Sequence, residues 1–480
     1  MAFAPTAFVD TQTWSAGKII VESVLDAGAE VSLQAFSDAL AAVLGGANGI
    51  PALYAEEDLL LRGGLDFDFL YSIHNLRSLE VNSVTKVAYL SGYGAAGDGV
   101  TSDRAAFIAA LTDLQVGGGG ILYVEQPEDK YLIDGEIAFT TGTFPAGVPV
   151  NITIEGLGTQ PELYLETGDA DSMFNVNNVP GIRFKNLSFT GDSAQGSGWY
   201  IEALGDNGAV VDCTFDGAGT MSAISQFWSG GLARHLEFTN LVFAAFTGSA
   251  SATFSIADSA YARLRGLTFI SSAGTPGTAL QLAAPAAGRG NDEILVDGLH
   301  VLRNAGAAAN SACLQVAANH AERCVITNFT LDTSVGGLPA VEILGSNVTL
   351  TQGHINCNSN TSLTDGILLD GADDIIISNV AILGNDGRDG STTDCEGFGI
   401  RIDAAPDGIQ ILGCRIRGFN ASAGRAVGPS GETPVDLHMS GNLITNNANG
   451  GTQVDIGGTA YNYGFDANYG SAAGDANYEV

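Results

Sequence analysis

Along most of this chain, apolar and polar residues alternate in a phrase that keeps returning. Its clearest copy is Ile182-Arg183-Phe184-Lys185-Asn186-Leu187-Ser188-Phe189. Period-two alternation predicts strands, and the lone Asn between two alternating runs predicts a corner. Aligning on that corner gives Gly156, Asn186, Asp212, Asn240, Gly266, Gly298, Asn328, Gln352, Asn379, Gly413 and Gly441. Successive corners lie 24 to 34 residues apart. Nearly all are Asn, Asp or Gly, the residues that tolerate a left-handed backbone at a tight bend. Flanking apolar positions keep phase, as in Leu236, Phe238, Leu241 and Phe243, and again in Ile375, Ile377, Val380 and Ile382. A further short strand precedes each phrase, for example at 279–282, 312–316, 341–343, 366–369 and 399–402. Three strands per repeat make one turn of a β-solenoid. About ten such turns, each rising roughly 4.8 Å, give a rod on the order of 50 Å with one narrow apolar core. A leucine-rich repeat would need a Leu pattern that is missing, and a propeller would need four strands per repeat.

The ends of the chain break this pattern. Residues 1–90 carry helical periodicity over 15–44, stopped at Gly45-Gly46-Ala47-Asn48-Gly49. This reads as a small, partly helical docking or oligomerisation module. Residues 91–149 lead into the solenoid through Gly97-Asp98-Gly99-Val100-Thr101-Ser102-Asp103. A helix is predicted over 104–114 with Asp103 as N-cap, followed by strands at 121–124 and 131–133. That succession resembles the opening of the pectin-lyase-like superfamily. The resemblance implies a right-handed parallel β-helix over 150–457, closed by a cap or tail over 458–480. It implies no particular reaction, since lyases, hydrolases, epimerases and viral tailspikes share the fold.

Composition narrows the partners. Nineteen Lys and Arg stand against 53 Asp and Glu, a net charge of −34. No cationic surplus exists to neutralise nucleic-acid phosphates or to hold an anionic bilayer. No apolar run is long enough to span a membrane, and the N-terminus lacks a signal-peptide pattern. The glycines of 92–99 do not form a phosphate-binding loop, because no Lys follows them. Six cysteines show no metal-ligand spacing, and Cys213, Cys324 and Cys414 fall on apolar positions, as buried free thiols would. No cofactor or metal is expected.

Candidate chemistry lies on the outward face of the strand that precedes each phrase. Its outward positions are Glu202, Ser255, Gln281, Gln315, Glu342, Leu368, Arg401 and Asp455. Gln281, Gln315 and Arg401 are the candidate substrate-binding residues, since a polar ladder of this kind can track a polysaccharide. Acids crowd 365–407, and cleavage of a glycosidic bond needs two carboxyl groups in different protonation states. Glu342, Asp365, Asp370, Asp394 and Asp403 are therefore the catalytic candidates. Thr364-Asp365-Gly366, Asp394-Cys395 and Arg415-Ile416-Arg417 are similar to fragments of polygalacturonase motifs, but the Gly-His-Gly element is missing, so that activity is not carried over.

The separate N-terminal module, the missing export signal and the Gly- and Tyr-rich end together resemble a tailspike or fibre of a bacteriophage or archaeal virus. That resemblance implies an extracellular virion-tail location, a homotrimer, and docking to other tail or baseplate proteins through 1–90. It also implies a β-helix that binds host surface glycan and in some members degrades it. A free polysaccharide lyase or hydrolase and a purely structural fibre remain the alternatives.

Overall fold

The computed structural model describes residues 86–139, 151–166, 172–192, 199–217, 222–226, 233–246, 252–271, 277–283, 291–303, 312–318, 323–333, 339–357, 364–384, 397–419, 425–429, 436–445, 454, 463–466 and 469–470. The helical patterning expected over 15–44 and the tail beyond residue 470 lie outside them.

The described chain is a parallel β-solenoid with very little helix. Its strands form one 24-stranded sheet, which contains the strands on both sides of each corner, one eleven-stranded sheet, and a two-stranded pair. The coil number differs slightly from the ten expected. Every strand pairs in parallel with its counterpart one coil away. Ile182–Lys185, for example, stacks on Ile152–Gly156 with Ile182 opposite Ile152 and Phe184 opposite Ile154.

The corners behave as their residue types require. Asn186, Asp212, Asn240, Gly266, Gly298, Asn328, Gln352, Asn379, Gly413 and Gly441 all adopt φ between 53° and 78°. The amides also tie coils together. Asn186 Nδ2 donates to the Gly156 carbonyl at 2.8 Å, and Asn240 Nδ2 to Asp212 Oδ1 at 2.9 Å. Gly156 departs from the series, because its φ is not positive. It is needed for close approach instead: a Cβ there would lie 2.1 Å from the Asn186 carbonyl oxygen. A second left-handed series leads into the strands before the corners, at Gly181, Asn207, His235, Tyr261, Glu293, Asn347, Asp374 and Gly408, with φ from 49° to 74°. The hydrophobic phrase did not reveal it.

The core is one contiguous column. Inward positions after the corner stack as Phe189, Phe215, Phe243 and Phe269, with successive ring centroids 4.8, 5.3 and 4.3 Å apart and nearly parallel planes. The same column continues in register as Val301, Leu331, Ile355, Ile382, Ile416 and Ile444. Each such side chain removed from water contributes about 1.5–3 kcal/mol, so the column accounts for much of the solenoid's stability. The five described cysteines are buried. Burial pushes the Cys213 thiol up to about 12 and the Cys414 thiol up to about 11.

The helix α1, Arg104–Val116, runs two residues past the predicted end and buries Phe107, Ala110, Leu111 and Leu114 against the first coils. Phe107 meets Tyr131 and Phe174 edge-on, at 6.2 and 5.9 Å. Asp103 stands at its N-cap position, but its side chain makes no cap hydrogen bond. The carboxylate turns inward instead and accepts the backbone N–H groups of Ala96 at 2.6 Å, Gly97 at 3.3 Å and Leu132 at 3.0 Å. It thereby pins the glycine-rich lead-in to the first coils, a contact between distant segments that a local capping rule does not anticipate.

Candidate functional site

The eleven-stranded sheet puts the expected ladder in register. The positions in register run Glu202, Ser225, Ser255, Gln281, Gln315, Glu342, Leu368, Arg401 and Gly428, each opposite the next. Glu202, expected to face outward, is buried, as is Gly428. Ser225 completes the series, and the sequence pattern had not placed it. Asp455 and Asp394 lie outside the described residues.

Stacking brings these side chains within hydrogen-bond reach of one another. Ser255 Oγ donates to Gln281 Oε1 at 3.5 Å, Gln281 Nε2 to Gln315 Oε1 at 2.5 Å, and Gln315 Nε2 to Glu342 Oε2 at 2.6 Å. Each amide donates toward higher residue numbers, and the chain ends on a carboxylate, so successive dipoles reinforce one another. A glutamine amide has two N–H groups and two lone pairs. Within the ladder each uses one N–H.

Beyond the half-buried Leu368 stands a second group. Arg401 Nη1 donates to Asp365 Oδ2 at 3.4 Å, and its Nη2 lies 2.9 Å from Asp403 Oδ2. The other Asp365 oxygen accepts the Phe398 N–H at 2.7 Å. Burial pushes the Asp365 carboxyl above its ordinary value, although the Phe398 N–H and the Arg401 guanidinium pull it back. Asp370 is exposed and stands opposite Asp403 on the neighbouring coil. The structure therefore joins Asp365 and Asp403 through Arg401 and sets Asp370 opposite Asp403 on the neighbouring coil. Glu342 stays with the glutamines, one coil away. Arg401 is held between two carboxylates. Among the described residues no cluster of His, Cys, Asp or Glu is placed to hold a metal ion.

A second concave feature lies on the other sheet. It is a groove of about 610 Å³ whose lining includes His235, Tyr261, Arg263, Arg265, Glu293 and Arg323. Reading the sequence for acids and for the strand before each phrase passed it by. The signal lay in Tyr261-x-Arg263-x-Arg265, a concentration of cations in a chain with only 19 Lys and Arg.

The family model for the right-handed beta helix region matches residues 287–468, in agreement with the stacked coils. No curated protein matches the chain. Among solved structures, the A-module of mannuronan C-5 epimerase AlgE4 from Azotobacter vinelandii is 17% identical, with a TM-score of 0.39, over 81% of this chain and 98% of that one. The surface adhesin PfbA of Streptococcus pneumoniae is 13% identical, with a TM-score of 0.40, over 81% and 93%. Tailspike protein 3 of bacteriophage CBA120 is 12% identical, with a TM-score of 0.38, over 82% and 60%. Identities this low bear on nothing beyond the fold.

Proposed function

We propose that this protein binds polysaccharide along its eleven-stranded sheet, and that it does so as a virion tailspike or fibre adsorbing to host surface glycan. The observation that carries the reading is the bonded series Ser255, Gln281, Gln315 and Glu342. Amides locked by one another present donors and acceptors at the coil spacing of roughly 4.8 Å, a length close to that of one sugar unit. Pre-ordered side chains lose little entropy when a ligand docks. Trimerisation, and attachment to tail or baseplate proteins through residues 1–90, belong to the same reading.

Cleavage is the second reading, and Asp365 favours it. A carboxyl group that burial makes easier to protonate, joined through Arg401 to the carboxylate Asp403, resembles the pairing that glycosidic hydrolysis uses. Against it, Asp365 is 5% exposed and already accepts two hydrogen bonds. Binding is the stronger conclusion.

The test uses the full chain and purified envelope glycans, acidic and neutral, immobilised for biolayer interferometry. Gln281→Ala with Gln315→Ala is expected to weaken binding about tenfold, or about 1.4 kcal/mol. Release of reducing ends, lost in Asp365→Asn, would establish cleavage. Binding to no envelope glycan would favour the structural-fibre alternative, and a monomer in solution would count against a tailspike.

A further inference from the structure

We infer that the groove around Tyr261, Arg263 and Arg265 is a second glycan site, built for a saccharide that carries carboxylate groups. The inference rests on the glycan-binding reading for its class of ligand alone. The groove shares no residue with the ladder, and its strands belong to the other sheet.

The aromatic residue comes first. Tyr261 adopts φ 56° at a place in the coil where Gly181, Asn207, Asn347 and Gly408 stand in other turns. A bulky side chain in the left-handed region is an outlier. Such outliers persist where the surroundings hold them, and they gather at ligand sites. Here the Tyr261 ring lies parallel to the His235 ring of the preceding coil, with centroids 5.2 Å apart and planes at 13°. The stacking fixes the ring, yet 44% of the residue stays exposed. A rigid, half-exposed tyrosine offers an apolar surface to the C–H face of a sugar and a hydroxyl to its oxygens.

The cations decide which sugar. Arg263 and Arg265 are two positions apart on one strand, so they project from the same side of the sheet. Both are exposed, and neither makes an ion pair or a side-chain hydrogen bond among the described residues. Glu237 stands opposite Arg263 and Asp297 opposite Arg265 in register, without an ion pair to either arginine; Asp297 instead accepts from Asn328 Nδ2 at 2.7 Å. In a chain with 53 carboxylates, two neighbouring guanidinium groups left unpaired are conspicuous. Across the groove, Arg323 is already committed to Glu293. The guanidinium groups not engaged in an ion pair are therefore those of Arg263 and Arg265, and a planar guanidinium fork fits a carboxylate through two parallel hydrogen bonds. Leu295 and Val325, the next two residues in the Arg263 column, supply apolar surface beside the charges. Tyr261, Arg263 and Arg265 follow one another along one coil, with Leu295 and Val325 one and two coils onward from Arg263. This arrangement suits a uronic-acid unit with its C–H face on the ring and the apolar side chains and its carboxylate on the arginines.

The test is calorimetric titration of the full chain with oligogalacturonate and oligomannuronate. A neutral glucan oligomer and a sulfated oligosaccharide serve as the other arms. Oligouronate is expected to bind, to weaken as salt rises, and to lose at least about tenfold in affinity in R263Q/R265Q and in Y261G. Glycine at residue 261 removes the ring and relaxes the backbone, so an unchanged melting temperature will show that the fold survives. In R263Q/R265Q, binding of neutral envelope glycan is expected to persist while oligouronate binding is lost, which separates this site from the ladder. Three outcomes would overturn the inference: oligouronate that does not bind, oligouronate affinity indifferent to both groove variants, and equal binding of the neutral oligomer. A sulfated ligand that binds more tightly and ignores Y261G would also overturn it, by reducing the groove to a patch of charge.

Discussion

Two columns of side chains climb this solenoid under the same rule of one residue per coil, and they do different things. The inward column, from Phe189 to Ile444, is held by exclusion from water. Any apolar side chain of suitable size continues it, which is why phenylalanine gives way to valine, leucine and isoleucine without a break in register. The outward column, from Ser255 to Arg401, is held by directed hydrogen bonds. It changes character wherever one partner changes: the bonds run through Gln315 to Glu342, stop at Leu368, and a different group begins at Arg401. Non-directional burial makes a column continuous, whereas directional bonding makes it segmented. The segments are where a ligand can be recognised.

Breaking the inward column has the largest expected effect. Phe243 lies between Phe215 at 5.3 Å and Phe269 at 4.3 Å. Phe243→Ala should cost about 3–5 kcal/mol, read from urea unfolding. If that loss is below about 1 kcal/mol, the stacked rings do not act as one core.

The corners come next. Asn240 sits at φ 54° and donates to Asp212. Asn240→Ala should cost about 1–2 kcal/mol from backbone conformation, and Asn240→Gly should cost less. Equal losses would mean that the side-chain bond, and not the left-handed backbone, governs the corner.

The outward column should be almost silent in stability. Gln315→Ala removes two half-buried hydrogen bonds, for a loss of about 1 kcal/mol or less, while glycan affinity falls further. A large drop in melting temperature without a change in binding would reverse the roles assigned to the two columns.

The smallest effect is a pH dependence. Burial raises the folded-state pKa of Asp365. Its contribution to stability is therefore complete below the ordinary carboxyl pKa and declines as pH rises through the folded value. Relative to Asp365→Asn, the wild-type chain should melt progressively less favourably from acid toward neutral pH. A difference that stays constant would show that the Phe398 N–H and Arg401 cancel the burial, and one that grows in favour of the wild type would show that they more than offset it.

The coil was readable from residue order because its causes are local. Alternation sets which side chains point inward, and Asn, Asp or Gly at the bend sets where the strand turns. Both are properties of a few consecutive residues, so the corners from Asn186 to Gly441 and the inward column could be found without coordinates. Gly156 was readable as a corner, but its reason was not, since it answers to the backbone of Asn186 one coil away. The ladder was half legible: the strand phase marked Gln281, Gln315 and Glu342 as outward, but the bonds between them span 34 and 27 residues across loops of unequal length. Contacts of that span are decided by how coils stack. The same holds for Asp103, whose carboxylate turned from its helix to a strand 29 residues on. It holds too for the groove, where His235, Tyr261, Arg263, Glu293 and Arg323 converge from four successive coils. A periodic pattern reports which side of a strand a residue occupies. Which residues share that side, at what distance and with which bonds already spent, follows only once the coils are stacked.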